Sequence, residues 1–255
     1  MILAIANQKG GVGKTTTSIN IAACLAAMHR RVLLVDLDPQ GNATTGSGID
    51  NAAVVSSTYD VLINGMVVAD AKIAVDASGY DLLPANVDLS GAEVELMDIP
   101  SREHRLRNAL DSCHSSYDYI IIDCPPSLSL LTLTGLVAAN GVIIPMQCEY
   151  YALEGLTALI GTISRITNRL NSELEIKGIV RTMFDPRNRL ANEVSDDLVD
   201  HFGDLVFSTI IPRNVRLAEA PSYGLPIMYY DKQSRGARAH LALAGELVKR
   251  LESGD

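Results

Sequence analysis

The segment Lys9–Thr15, with the sequence KGGVGKT, decides the fold of this chain. The apolar run Ile2–Ala6 precedes it, and a helix-forming stretch begins at Thr15. In a strand–loop–helix unit of this kind, glycines let backbone N–H groups converge on phosphate oxygens, and the helix adds its positive N-terminal end. Lys14 supplies a positive charge to the β and γ phosphates, and the Thr15 hydroxyl can bind Mg²⁺. The segment therefore predicts a binding loop for a nucleoside triphosphate and magnesium.

The loop departs from the ordinary phosphate-loop pattern at its first position. The pattern G-x-x-x-x-G-K-[ST] requires glycine at position 8. This chain has Gln8 there, and a second lysine, Lys9, opens the loop. Because a lysine charge is useful only near an anion, Lys9 predicts a further phosphate contact. The alternative is a solvated surface lysine.

Short apolar runs alternate with longer segments of helical periodicity along the whole chain. The candidate strands are Ile2–Ala6, Val32–Asp36, Tyr80–Leu83, Tyr119–Asp123, Val142–Met146, Ile176–Thr182 and Val206–Ile211. The candidate helices include Thr15–Met28, Arg102–Asp111, Tyr151–Leu170, Asn192–His201 and Ala237–Leu251. Val32–Val35 and Ile120–Ile122 are continuously apolar, as strands covered on both faces are. This pattern predicts one α/β domain over residues 1–255, with a doubly wound, mostly parallel sheet and helices on both faces.

The least regular stretch is Gly41–Ser57, which is rich in Gly, Asn, Thr and Ser. A loop of this length inside a compact domain is usually functional or mobile. It directly follows the acidic end of a predicted strand, so we expect a segment that responds to nucleotide. A plain surface loop is the alternative.

Composition narrows the class of protein. The formal net charge of −9 argues against a surface that attracts nucleic acid everywhere, although salt screening leaves room for a local basic patch. The four cysteines are widely spaced and form no C-x-x-C pair, which fits neither a zinc site nor a disulfide framework. No stretch approaches the roughly 20 apolar residues of a membrane span. We therefore expect a soluble cytosolic protein with free thiols and no membrane partner.

Acidic residues stand at the carboxyl ends of two predicted strands, where open α/β sheets place ligands. Asp36 ends the strand Val32–Asp36, Asp38 follows two residues later, and Asp123 ends Tyr119–Asp123 as a Walker B carboxylate does. A magnesium ion that bridges two phosphates needs a carboxylate near the loop hydroxyl. Asp36 has the alternative role of a structural hydrogen-bond acceptor.

Several segments together resemble one family far more specifically than the loop alone. The loop resembles the deviant Walker A motif of the ParA/MinD ATPases. The wider likeness is to the chromosomal, Soj-type ParA partitioning ATPases, and it rests on Gln8–Thr17, Asp36–Asn42, Ile121–Pro126, Gln147–Gly155 and Ile211–Pro221. It covers essentially the whole chain and implies a slow ATPase with a P-loop NTPase fold.

The resemblance implies roles for individual residues. Lys9 would reach the nucleotide of a partner subunit, so that two ATP molecules lie between the subunits of a homodimer. Asp38 would position the attacking water, and Asp123 would belong to the magnesium shell. Pro212 and Asn214 would contact adenine, with a turn before a helix as their alternative role. The expected nucleotide contacts are Lys9, Gly10, Gly11, Val12, Gly13, Lys14, Thr15, Thr16, Asp123, Pro212 and Asn214, the catalytic groups are Lys9, Lys14 and Asp38, and the metal ligands are Thr15, Asp38 and Asp123.

The resemblance also implies partners. Arg187 and Arg216 would contact DNA phosphates in the ATP dimer without reading base sequence, and the alternative for each is a solvated surface arginine. A ParB-type centromere-binding protein would stimulate hydrolysis through its basic N-terminal segment.

Three other functions compete with this interpretation. A MinD-like membrane ATPase would need a terminal amphipathic helix, but the tail Gly245–Asp255 has few large apolar residues. An iron–sulfur carrier of the nitrogenase-reductase type would need a cysteine partner for Cys124. A ParA-like ATPase that positions another cargo would share the same chemistry.

Overall fold

The computed structural model describes residues 1–252; Ser253, Gly254 and Asp255, at the end of the tail and of the predicted domain, lie outside the described residues. Its centre is a seven-stranded sheet with the order β3-β4-β2-β5-β1-β6-β7. Neighbouring strands are parallel except for the pair β3 and β4. The strands are β1 (Ile2–Ile5), β2 (Val32–Asp36), β3 (Ile73–Val75), β4 (Tyr80–Leu83), β5 (Tyr119–Asp123), β6 (Gly141–Gln147) and β7 (Glu175–Thr182).

Helices connect the strands and cover both faces of the sheet. They are α1 (Lys14–Ala27), α2 (Asn42–Gly46), α3 (Val68–Ala71), α4 (Leu89–Glu95), α5 (Arg105–Asp111), α6 (Leu130–Ala138), α7 (Ala152–Arg169), α8 (Arg189–Phe202), α9 (Val215–Glu219), α10 (Ile227–Tyr230) and α11 (Arg235–Glu252). One core contains apolar residues of α4 to α7, and the other contains residues of α1 and α11. Because both faces are covered, the central strands are buried throughout, as their continuous apolar sequence requires.

The strand register brings the acidic residues together at one edge. Asp36 pairs with Asp123 across β2 and β5, and Asp123 pairs in turn with Ile5, the last residue of β1. The loop Lys9–Thr15 follows β1 directly, so its glycines begin beside both carboxylates. This edge of the sheet is the place where parallel α/β folds bind ligands.

The predicted fold class is confirmed, and the boundaries of the predicted helices and strands agree closely, with two differences at strands. Val206–Ile211 is not a strand, because the Glu246 carboxylate accepts the N–H groups of Ser208 and Thr209, at 2.8 and 2.9 Å. The backbone of this segment bonds to the backbone of β7 only at isolated positions, such as Phe207 N–H to Ile179 O, and the Arg181 guanidinium of β7 donates to the Phe207 carbonyl at 2.9 Å. The short antiparallel strand β3, at the opposite edge, was not predicted.

The stretch Gly41–Ser57 is more regular than the sequence suggests. It contains α2 and a 3₁₀ turn, Asn51–Ala53, in which the Asp50 carboxylate accepts the Ala52 N–H. Gly48 approaches Gly224 so closely that a Cβ at Gly48 would lie 2.9 Å from the Gly224 carbonyl oxygen. The prediction of one long irregular loop is therefore wrong.

The predicted helix Arg102–Asp111 is α-helical only from Arg105, after a 3₁₀ turn at Arg102–His104. Among residues 1–252, no helix combines the length and apolar character needed to cross a membrane.

Candidate functional site

The loop before α1 exposes its N–H groups by adopting left-handed backbone conformations. Gly11 and Gly13 have φ angles of 73° and 87°, which favour glycine strongly. Gly13 is also the N-cap of α1, and no side chain in the described part of the chain caps this helix end. The first N–H groups of α1 therefore remain available to an anion, which the helix dipole attracts.

The carbonyl groups of the same loop are held by side chains. Lys14 Nζ donates to the Lys9 carbonyl at 3.1 Å, and Thr182 Oγ1 donates to the Val12 carbonyl at 2.7 Å. Burial lowers the pKa of Lys14, while the nearby charges of Asp123 and Asp38 oppose this shift. Because side chains already hydrogen-bond these carbonyl groups, the loop presents its backbone N–H donors and the Lys14 ammonium group to an incoming ligand.

A cavity of about 450 Å³ lies in front of these donors. We refer to it as the phosphate cavity. Seven predicted site residues line it, namely Gly10, Gly11, Gly13, Lys14, Thr15, Thr16 and Asp38. Gln40, Asn42, Thr45 and Gly46 of the following segment complete the wall beside Asp38. Most of the predicted phosphate contacts are therefore brought together around one volume.

Asp36 lies behind the cavity and performs a structural role. Its carboxylate accepts the N–H and the hydroxyl of Thr44, both at 2.7 Å, and the Asp38 N–H at 3.2 Å. Burial raises the pKa of Asp36 to about 6, although the Thr44 hydrogen bonds favour its ionised form. The Ala85 N–H in turn donates to Thr44 Oγ1 at 2.9 Å. This network fixes the turn that carries Asp38.

Asp38 itself is buried at the cavity wall. Its Oδ1 accepts the Gln40 N–H at 3.0 Å, and its carbonyl accepts the Gly41 N–H at 2.8 Å. These two bonds form a tight turn that aims the carboxylate into the cavity. An attacking water that binds there would meet an acceptor in a fixed position.

Asp123 fits the predicted magnesium role. Its Oδ1 accepts the Ser18 hydroxyl at 2.8 Å, but its Oδ2 is buried without a partner in the described residues. Burial, reinforced by the nearby Asp36 charge, raises the pKa of Asp123 to about 7, while the Thr15 and Ser18 hydroxyls oppose the shift. A divalent cation near Thr15 would supply the missing partner of Oδ2 and favour the ionised carboxylate.

The protein alone offers few magnesium ligands. Within residues 1–252, no group of three His, Cys, Asp or Glu side chains is arranged to hold a metal ion. Magnesium commonly takes one or two protein ligands and completes its shell with phosphate oxygens and water. The site therefore fits an ion that arrives with its nucleotide.

Lys9 points away from the phosphate cavity of its own chain. Its ammonium group forms an ion pair with Glu149, which follows β6, and both side chains are about half exposed. Lys9 N–H donates to Asn7 Oδ1 at 3.0 Å, which fixes the start of the loop. The two lysines of the loop thus lie in different surroundings. Lys14 is buried beside the backbone N–H donors of the loop, and Lys9 lies at the surface.

A second cavity of about 370 Å³ adjoins the first, and we refer to it as the side cavity. Gly13 and Thr16 line both cavities. Pro212 and Asn214, the predicted adenine contacts, line the side cavity. Asn214 Oδ1 also accepts the Arg216 N–H at 2.8 Å and so caps α9, which is the structural alternative for this residue. The amide nitrogen of the Asn214 side chain takes no part in this cap.

The two predicted DNA contacts lie outside both cavities on neighbouring segments. Arg187 is 89% exposed and pairs with Asp185, while Arg216 is 54% exposed and pairs with Glu219. The segments that carry them are joined by a hydrogen bond from Arg213 N–H to the Phe184 carbonyl at 3.0 Å. The arginines hold the pKa of Asp185 at about 2 and lower the pKa of Glu219.

Several residues that shape the site were not predicted. Ser18 and Thr182 bind Asp123 and the loop, and Glu149 pairs with Lys9. A signal existed for Ser18, because it lies four residues after Lys14 on the same face of α1. Thr182 ends a predicted parallel strand, so its position at the ligand edge was also accessible. Thr44 gave no such signal, since it lies in the stretch that was expected to be irregular.

The free cysteines include Cys124, which lies buried behind the loop. Burial raises the pKa of its thiol, and the neighbouring Asp123 charge adds to the shift. Cys24, Cys113 and Cys148 are buried as well. This burial agrees with the expectation of free thiols that serve as small apolar side chains.

Comparisons with known proteins identify relatives of this chain. Residues 1–176 match the family model described as an AAA domain. The chain is 53% identical over 247 residues to the sporulation initiation inhibitor protein Soj of Bacillus subtilis, covering 97% of this chain and 98% of Soj. It is 51% identical over 251 residues to the chromosome partitioning protein ParA of Caulobacter vibrioides, covering 98% and 94% of the two chains.

A solved structure is similar over the whole chain. The crystal structure of cobyrinic acid a,c-diamide synthase from Mycobacterium smegmatis with bound ADP and magnesium has a TM-score of 0.87 and 40% sequence identity. The match covers 100% of this chain and 96% of that one. That structure therefore shows the shared fold with a nucleotide and magnesium bound.

Proposed function

This chain belongs to the family of ParA- and Soj-type P-loop ATPases, which bind ATP and magnesium, and from that premise we propose that it is a chromosome-partitioning ATPase. In this proposal, ATP brings two copies of the chain together around two nucleotides. The dimer attaches to DNA without sequence preference, and a ParB-type partner stimulates the hydrolysis that releases it. The protein would then be associated with the nucleoid while it holds ATP.

The observation that carries the proposal is the different placement of the two lysines of the loop. Lys14 lines the phosphate cavity, whereas Lys9 lies at its rim and forms an exposed ion pair with Glu149. An exposed ion pair contributes only about 0 to 1 kcal/mol, so Lys9 can exchange Glu149 for a more strongly charged phosphate. A second copy that approaches this face would offer such a phosphate. Turnover then depends on assembly, because the active site lacks one charge until the partner arrives.

Residues of the phosphate cavity would perform the hydrolysis. Asp38, held in its turn by Gln40 and by the Asp36–Thr44 network, would orient water for in-line attack on the γ phosphate. Bound magnesium would neutralise charge on the phosphates, with Thr15 and Asp123 as its protein neighbours. Lys14 would stabilise the charge that develops on the transferred group.

Attachment to DNA would use Arg187 and Arg216. The two guanidinium groups are exposed, and their carboxylate partners, Asp185 and Glu219, are partly exposed, so both arginines can exchange these partners for backbone phosphates. Contacts of this kind attract DNA and depend on salt, but they carry no sequence information. A dimer presents each contact twice, which multiplies weak binding into useful avidity.

The assembly step is tested by Gly10→Val. A Cβ at Gly10 would meet only the Pro126 Cβ, at 3.8 Å, so a valine fits within the single chain. We expect the variant to bind ATP with nearly normal affinity but to remain monomeric in sedimentation velocity runs with ATP and magnesium. Gly161→Val is the matched control, since a Cβ at Gly161 also meets open space. A normal ATP-dependent dimer of the Gly10 variant would contradict the proposed sandwich.

The functional assignment is tested by ATPase assays with DNA and a ParB-type protein, separately and together. We expect the highest rate when both are present, because DNA selects the dimer and the partner completes its activation. A rate that neither component changes would exclude the partitioning role while leaving the ATPase chemistry in place.

A further inference from the structure

One side chain lies at the boundary between the two cavities and has no role in the phosphate chemistry. Met183 directly follows β7 and lines both the phosphate cavity and the side cavity. Gly13 and Thr16 also line both, but they belong to the loop and to α1. Met183 approaches them from the end of β7, since its Cε lies 3.8 Å from the place that a Cβ at Gly13 would take. The residue is 39% exposed, so a ligand in these cavities can touch it.

The backbone holds Met183 in a conformation that residues with side chains rarely adopt. Its φ angle is 50°, which lies in the left-handed region. Among residues 1–252, the other non-glycine residues with positive φ are His29 and Ser101, and neither lines the phosphate cavity or the side cavity. Backbone strain of this kind persists only where the surroundings impose it, and it concentrates at functional sites.

Hydrogen bonds on either side of Met183 impose this conformation. Thr182 Oγ1 donates to the Val12 carbonyl at 2.7 Å, which ties the preceding residue to the phosphate loop. The Phe184 N–H donates to the Ile211 carbonyl at 3.1 Å, which ties the following residue to the segment before Pro212. The side-chain amide of Gln147 lies against Met183 Sδ. These contacts fix Met183 between the element that binds phosphate and the segment that carries Pro212 and Asn214.

We propose that Met183 is a positioning residue for the nucleotide: its side chain packs against the sugar where the nucleotide passes from the phosphate cavity into the side cavity. This inference rests on the proposed placement of the base in the side cavity beside Pro212 and Asn214. A nucleotide with its phosphates in one cavity and its base in the other crosses the boundary that Met183 borders, and the sugar joins the two parts. A thioether suits this contact because it is apolar, polarizable and adaptable in shape. Met183 thus contributes to binding of the nucleoside and not of the phosphate chain.

The test compares Mg-ATP with inorganic tripolyphosphate, which has the phosphate chain without the nucleoside, by titration calorimetry on the full chain. Met183→Ala should weaken ATP binding roughly tenfold, as the loss of an apolar contact allows, and leave tripolyphosphate binding unchanged. Met183→Leu keeps an apolar side chain of similar volume and should restore most of the affinity for ATP. Met97→Ala is the matched control, because Met97 is 57% exposed and lines neither cavity. Thermal unfolding of each variant checks that it is folded.

Two results would overturn the inference. If Met183→Ala binds ATP as tightly as the wild-type protein, Met183 does not contact the nucleotide. If Met183→Ala loses affinity for ATP and for tripolyphosphate equally, the residue acts through the phosphate loop and not on the sugar. Neither comparison uses DNA or a ParB-type partner, so failure of the partitioning role would leave both results unchanged.

A blocking variant separates the role of Met183 from the placement of the base. Ala218 lines the side cavity at an exposed position of α9, so Ala218→Trp should weaken ATP binding but leave tripolyphosphate binding unchanged. If Ala218→Trp does so while Met183→Ala binds ATP normally, the role of Met183 is refuted and the base site stands. If neither variant weakens ATP binding, both the base site and the role of Met183 are refuted.

Discussion

The phosphate cavity and the side cavity share Gly13, Thr16 and Met183, yet they are built in different ways. The phosphate cavity is formed mostly by one continuous loop and two strand ends, with backbone N–H groups as donors. The side cavity is assembled from side chains of α1, α9, α11 and the segments before them. A wall of backbone donors recognises any phosphate chain, whereas a wall of side chains can select among bases. Under the proposed function, affinity for the phosphates and selection of the base would therefore arise in different parts of one site.

The largest expected effect is a loss of ATP binding when the phosphate cavity alone is altered. Lys14→Ala removes the buried ammonium group that lines this cavity, and we expect ATP binding to weaken roughly 100-fold or more, since charge-assisted bonds to phosphate disappear. Titration calorimetry with Mg-ATP measures this decrease. Lys9→Ala is the matched control from the same loop and should bind ATP almost normally as a monomer. Equal decreases in the two variants would contradict their separate roles.

Asp38→Asn separates binding from turnover within the phosphate cavity. The variant should keep its affinity for ATP and accumulate as the ATP-bound dimer, while the rate of phosphate release falls about 100-fold because water is no longer oriented by a carboxylate. Phosphate release and sedimentation velocity provide the two measurements. Hydrolysis at the normal rate would remove Asp38 from the mechanism.

Thr44→Val tests the network behind the cavity. It removes the hydroxyl that donates to Asp36 and accepts from the Ala85 N–H, so the free energy of unfolding should fall by about 3 kcal/mol. Urea unfolding measures the change, and Thr44→Ser should restore most of it. A decrease below about 0.5 kcal/mol would show that the turn carrying Asp38 does not depend on this network.

We expect His240, which is fully buried on α11, to make the stability of the fold sensitive to acid. Its pKa of about 4 lies below the value of 6.5 expected in the unfolded chain, so the neutral ring is favoured by folding. The resulting stability is fully present above pH 6.5 and is lost as the pH falls toward 4. Relative to His240→Gln, the wild-type protein should lose about 2 kcal/mol of unfolding free energy between pH 7 and pH 5. Parallel pH profiles for the two proteins would refute this assignment.

The smallest effect concerns the arginine surface beyond both cavities. Arg216→Ala should leave ATP binding and dimerisation intact but make DNA binding less sensitive to salt. The logarithmic slope of affinity against salt concentration should become shallower by about one for each phosphate that the arginine no longer neutralises. Fluorescence anisotropy of labelled duplex DNA across a salt series measures the slope. Arg189→Ala is the control, because Arg189 is also exposed and paired with a nearby carboxylate. Identical slopes for the wild type and the Arg216 variant would remove this residue from the DNA surface.

The phosphate cavity could be predicted from the sequence because its chemistry is local. Glycine spacing, Lys14 and the acidic strand ends are adjacent in sequence to the structures that they form, and the apolar runs define the strands between them. Lys9 was also singled out, but its Glu149 partner is 140 residues away. The side cavity was only partly accessible, since Pro212 and Asn214 came from a resemblance. His240 lies on α11, and only the packing of α11 against α1 and α9 brings it to the cavity. The segment Val206–Ile211 has the composition of a strand, and a distant carboxylate changes its conformation.

That carboxylate has a consequence for how the molecule behaves in a crowded solution. An outer strand of a sheet displays unpaired backbone groups that invite a strand of another molecule. Here the segment after α8 lies along β7 through isolated bonds, and Glu246 binds the N–H groups of Ser208 and Thr209. This edge of the sheet is therefore covered by a segment whose N–H groups at Ser208 and Thr209 are not free to pair with a further strand. A single acidic side chain on α11 thus removes two N–H donors from this border of the sheet.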